Sequence, residues 1–137
     1  MYTYICLERT AFWIWGDFMS KVVLNTLLVN DDFLKKSKIN GIKNRNCILY
    51  IEDGIKTRIT LSPIVKLERI SSEYNIILYF DINSKTSGTY YLIGYNKYLN
   101  VEVITKNLIN CDNYLYIEYE LYMDKVLSGV FKFTLNY

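Results

Sequence analysis

From Lys21 onward, apolar and polar residues alternate with a period of two over much of the chain, and no stretch sustains a helical period of 3.6. Ile55, Thr57, Ile59 and Leu61 share one face of a segment whose other face carries Lys56, Arg58 and Thr60. The alternation is clearest over Tyr114 to Tyr122. There Leu115, Ile117, Tyr119 and Leu121 oppose Tyr116, Glu118, Glu120 and Tyr122. Tyr98 to Thr105 lines up Leu99, Val101, Val103 and Thr105, and Val126 to Leu135 lines up Phe131, Phe133 and Leu135. Further strands are predicted over Lys21–Val29, Cys47–Glu52, Ile64–Ile70, Tyr74–Asp81 and Thr89–Ile93, with Lys106–Asn110 as a separate short one. Phe33 to Arg45 is polar and lysine-rich, and a strand is expected there only around Lys38–Ile42, broken at Gly41.

Turn residues punctuate these segments: Asn30-Asp31-Asp32, Asp53-Gly54, Ser62-Pro63, Ser71–Glu73, a polar loop over Asn83–Gly88, Gly94, Asp112-Asn113 and Asp124-Lys125. Asp-Gly between two strand patterns is a strong hairpin signal. The pattern predicts an all-β domain of roughly eight to ten strands at about 8–12-residue spacing. No connection is long enough for a parallel crossover, so the strands should be antiparallel. Closing them into a barrel would leave no exposed edge.

Composition sharpens this picture in a few places. The chain has 137 residues, enough for one domain with its own core. Tyrosine occurs 14 times and proline once, which suits half-buried pleated surfaces. The absence of histidine excludes Ser-His-Asp and Cys-His nucleophiles and any His-ligated metal. Cys6, Cys47 and Cys111 are widely spaced and form no C-x-x-C pair, so neither a disulfide framework nor a zinc site is expected, and the thiols fit a cytoplasmic protein. No phosphate-binding loop is present and no cofactor is expected. A net charge of +2 is too small to argue for nucleic acid by itself.

Residues 1–18 differ from the rest and hold both tryptophans, Trp13 and Trp15. They lack the basic start and long apolar run of a signal peptide, and they are too short to span a membrane. Two readings are open. Translation starts at Met19 and the extension is not native, or the segment is an apolar arm that packs on the barrel, plugs its mouth or touches a membrane interface. The domain proper is expected over 19–137.

Three stretches carry a family resemblance. Ile55-Lys56-Thr57-Arg58-Ile59-Thr60-Leu61 precedes Val65-Lys66-Leu67-Glu68-Arg69, a threonine-bearing strand followed by an apolar strand ending in arginine. Tyr90-Tyr91 to Tyr95 precedes Leu99 to Thr105, and Tyr114 to Leu121 precedes Leu127-Ser128-Gly129-Val130-Phe131. In this order they resemble the YwiB-like family, bacterial proteins of a domain family of unknown function. The resemblance covers about Met19 to the C-terminus and implies a calycin-like, lipocalin-like barrel. It implies no activity. The chain departs from the family in having Ser71 where a glycine is usual, in lacking a proline before Gly94, and in a short Phe33–Asn46 region, which implies a curtailed early hairpin.

The candidate chemistry is that of binding, and no enzyme is expected. Arg69 shares strand parity with Val65 and Leu67, so it should face the apolar side, where a guanidinium could hold a carboxylate or phosphate. Tyr79, Tyr91, Tyr95, Tyr116 and Tyr119 could line a cavity for a small apolar or mixed ligand. Arg69, Tyr91, Tyr95 and Tyr119 are the ligand candidates. The alternative is an RNA- or ribosome-associated module using a basic loop of Lys35, Lys36, Lys38, Lys43 and Arg45 beside aromatic platforms. A third reading is a filled barrel used in protein interaction. The pairs Glu52 with Asp53 and Glu118 with Glu120 read as exposed strand and turn residues, because nothing in the sequence offsets their pKa values.

Overall fold

A computed structural model describes residues 19–137. The two readings of residues 1–18, and Cys6 with them, lie outside the described residues. Ten strands follow one another in an antiparallel meander. They are β1 (Ser20–Val29), β2 (Leu34–Lys43), β3 (Cys47–Glu52), β4 (Ile55–Thr60), β5 (Val65–Ile70), β6 (Tyr74–Phe80), β7 (Thr86–Leu92), β8 (Lys97–Cys111), β9 (Tyr114–Met123) and β10 (Val126–Asn136). Each strand pairs with the next, and β1 pairs with β10 from Asn25↔Asn136 to Val29↔Lys132, so the sheet closes into a barrel. The fold class expected from the alternation is the one observed.

Closure sends alternate residues of the strands inward, with the parity switching at the bulges in β8 and β10. Leu24, Ile48, Ile59, Leu78, Phe80, Val101, Val103, Leu115, Ile117 and Leu135 meet as one buried core. Removing such a side chain from water contributes about 1.5–3 kcal/mol. The hairpin between β3 and β4 turns on Asp53 (φ 54°) and Gly54 (φ 77°), the twisted two-residue turn that Asp-Gly favours.

Three expectations are corrected. Gly41 does not break a strand but sits inside the ten-residue β2, whose hairpin with β1 is complete from Ser20↔Lys43 to Val29↔Leu34. A side chain at Gly41 would come within 2.8 Å of both Leu24 Cδ1 and the Leu49 carbonyl oxygen, so the glycine permits close packing rather than a turn. Gly88 likewise lies within β7, which begins at Thr86, and a Cβ there would collide with the Ile77 carbonyl oxygen. Lys106–Asn110 is not a separate strand. It continues the fifteen-residue β8 through a bulge at Lys106, where the register with β9 shifts between Thr105 and Asn107. The bulge shifts the face parity in mid-strand, which reads in the sequence as a break.

Candidate functional site

The meander gives the barrel two unlike ends. At one end lie the turns 44–46, 61–64, 81–85 and 112–113. Buried core residues and hydrogen bonds among its turns seal this end. Asn110 Nδ2 donates to the Leu61 carbonyl at 2.8 Å, the Leu61 N–H donates to the Asn46 carbonyl at 2.7 Å, and Asn44 Oδ1 accepts from the Asn46 and Cys47 N–H groups. Inside it, Leu24, Ile48, Leu115 and Leu135 are fully buried.

The other end carries the turns 30–33, 53–54, 71–73, 93–96 and 124–125. Here the interior is only half-buried and partly polar. A cavity of about 250 Å³ runs from this end toward the core. Ile59, Val65, Phe80, Leu115 and Ile117 line its deep side, and Thr26, Leu28, Leu67 and Phe133 its waist. Tyr50, Glu52, Arg69, Lys35 and Tyr119 bring polar groups to it, and Phe33 stands at the rim, 46% exposed.

Arg69 points inward because β5 puts it on the same face as Val65 and Leu67. Thr57 stands opposite it on β4 and Ile76 on β6. Its Nε is buried without a hydrogen-bond acceptor, and no carboxylate among the described residues pairs with it. Two phenols feel its charge. Burial pushes the Tyr50 hydroxyl above its usual range, against the pull of the Thr57 hydroxyl and of Arg69, while Glu52 adds to the rise. Burial raises Tyr119 strongly, and Arg69 opposes it. Both phenols therefore stay protonated at neutral pH and can donate. The Tyr119 ring is fixed between Phe80, edge-on at 4.9 Å, and Phe131, stacked at 5.3 Å.

The wall beside this cavity is incomplete. β2 pairs with β3 only through Gly41↔Tyr50, Ile42↔Leu49 and Lys43↔Ile48, so Leu34–Asn40 has no ladder partner on that side. The gap is spanned by Lys35 Nζ, 3.8 Å from Glu52 Oε1 and 3.4 Å from Asp53 Oδ2.

Of the tyrosines expected at a cavity, Tyr119 lines it and the others do not. Tyr91 is on the outer face, donating to Asn96 Oδ1 at 2.6 Å and packing on Tyr98 at 4.5 Å. Tyr95 lies in the 3-10 turn Ile93–Tyr95 and is 81% exposed. Tyr79 faces outward under Lys66, and Tyr116 faces outward toward Glu118. One residue decides each of these: neighbouring positions on a strand face opposite sides, so Tyr90 turns inward and Tyr91 cannot. Tyr50 was missed. Its parity with Ile48 and its place opposite Thr57 across the Asp53-Gly54 hairpin would have revealed it.

The basic segment is a strand rather than a loop, and alternation divides its charges. Lys36 and Lys38 face outward, while Lys35 reaches the cavity mouth and its acidic partners. Lys43 lies 5.8 Å from the Tyr137 ring centre, and Arg45 is in the exposed turn before β3. Glu118 and Glu120 accept from Tyr116 and Tyr122 on the outer face. Among the described residues no group of three metal-ligating side chains occurs, and no helix is long and apolar enough to cross a membrane.

No family model matches the chain, and no curated protein matches it. Among solved structures it is similar to the ywiB protein from Bacillus subtilis, with a TM-score of 0.52 and 14% identity over 87% of this chain and 89% of that one. At that identity the likeness is one of fold: this chain has a YwiB-like barrel.

Proposed function

We propose that the protein is a non-enzymatic carrier that holds a small apolar or mixed ligand inside the barrel, and that it is a divergent YwiB-like protein of calycin-like type. The observation that carries the reading is the 250 Å³ interior space with one guanidinium that no acid among the described residues matches. A guanidinium drawn half out of water, with its Nε fully buried, gains from a partner, and a ligand would supply one. The scattered cysteines support a cytoplasmic setting. Native mass spectrometry of the full chain, compared with the same sample denatured, tests the proposal. A mass excess that vanishes on denaturation is expected. A bare polypeptide that also takes up no added apolar acid or alcohol would overturn it.

A second reading has its own observation. An outer groove over β1 to β4 is lined by Val23, Ile42, Leu49 and Ile51, with Val23 46% and Ile51 59% exposed. That surface suits a protein-interaction barrel. Co-purification of a polypeptide rather than a small molecule would favour it.

A further inference from the structure

Resting on the carrier reading, we infer that the ligand is a small monoanionic amphiphile, a carboxylate with a short apolar tail. Its head sits on Arg69 between the Tyr50 and Tyr119 hydroxyls, and its tail points toward the sealed end.

The charge balance of the cavity sets the head group. Three charged groups line it, Lys35 and Arg69 positive and Glu52 negative. Lys35 is matched by Glu52 and by Asp53 just outside. Arg69 is left with one positive charge and a buried Nε that has no acceptor among the described residues. One negative charge completes the site. A phosphate monoester would bring close to two and meet the Glu52 carboxylate. The planar fork of a guanidinium matches a carboxylate with two parallel hydrogen bonds. Tyr50 and Tyr119 remain protonated, so their hydroxyls are donors to the same head group.

The order of residues along the strands sets the tail. From Arg69, β5 runs back through Leu67 to Val65 toward the sealed end, and β4 runs from Thr57 to Ile59 in the same direction. Both rows change from polar to aliphatic as they descend. Leu115 and Phe80 lie below, and among the described residues the lining at that depth is apolar apart from the Thr26 hydroxyl. A space of 250 Å³ is what about eight liquid waters occupy at roughly 30 Å³ each, so the ligand has about ten non-hydrogen atoms. Access is through the unpaired stretch between β2 and the β3–β4 hairpin, beside Lys35 and Phe33.

Isothermal titration of the full-length protein with octanoate, 1-octanol and octyl phosphate tests the proposal, using wild type, Arg69→Met and Arg69→Lys. Octanoate should saturate one site on the wild type and bind more tightly than either other probe. Arg69→Met should weaken octanoate by about tenfold or more and octanol by less than about twofold, because only the head contact is lost. Retained octanol binding reports that the variant barrel is intact. Arg69→Lys should fall between, since it keeps the charge and loses the fork. Equal binding of octanol and octanoate, or octanoate binding insensitive to Arg69→Met, would overturn the anionic head while leaving the carrier reading in place. Tighter binding of octyl phosphate would overturn the single charge. Failure of all three probes, with a bare native mass, would remove the carrier reading itself.

Discussion

The two ends of the barrel use the same strands and the same alternation, yet one is a core and the other a site. At the sealed end the inward positions are Leu24, Ile48, Ile59, Leu115 and Leu135, all 0–1% exposed, and side-chain amides close the mouth. At the open end the inward positions of the same β3, β4 and β5 become Tyr50, Thr57 and Arg69. The sealed end gains its stability from dispersion and burial in full contact. The open end gives up part of that gain by holding a guanidinium that no acid among the described residues pairs with. The lesson is that stability and binding are separated along the barrel axis, two residues of strand apart.

The sharpest way to break this comparison is to empty each end in turn. Ile48→Ala at the sealed end should cost about 2–5 kcal/mol, read as a lower midpoint in urea unfolding. Arg69→Met at the open end should do the opposite in ligand-stripped protein and raise stability by up to about 1 kcal/mol, since it replaces a half-buried guanidinium that no described acid pairs with by an apolar side chain of similar length. A loss comparable to that of Ile48→Ala would mean that Arg69 is structural.

Tyr119 ties the two halves together and can be read by pH. Its folded pKa lies above the unfolded value of 10.0, so its contribution is complete below pH 10 and declines as the pH rises further. Tyr119→Phe should flatten part of the alkaline fall in melting temperature and leave neutral stability nearly unchanged. The smallest effect is expected at the gap. Lys35 is half exposed, so Lys35→Ala should change stability by less than about 0.5 kcal/mol. If the gap is the route inward, the same substitution should speed octanoate exchange in stopped-flow mixing. An unchanged rate would put the route elsewhere.

Much of this was legible in the chain. Leu115, Ile117, Tyr119 and Leu121 point inward as their alternation predicts, and Arg69 faces the cavity by parity with Val65 and Leu67. Tyrosine content carries no such information: Tyr91 faces outward and Tyr95 lies in a turn. A strand face is fixed by counting residues from its neighbours, and a turn residue such as Tyr95 has no face at all. Gly41 and Gly88 read as breaks because glycine marks both turns and close approaches, and only the neighbouring strand tells them apart.

The sequence by itself determined the local facts: where the strands run, which parity is apolar, and that Asp53-Gly54 reverses the chain. Those follow from sterics and from the two-residue period, which need no distant partner. The tertiary structure decided the rest. It closed β1 on β10, parted β2 from β3 beyond Gly41, and paired Lys35 with Glu52 and Asp53 while leaving Arg69 with no acid among the described residues. Those outcomes depend on the distance between residues far apart in the chain, and a charge becomes a binding site only when the folded barrel withholds its partner.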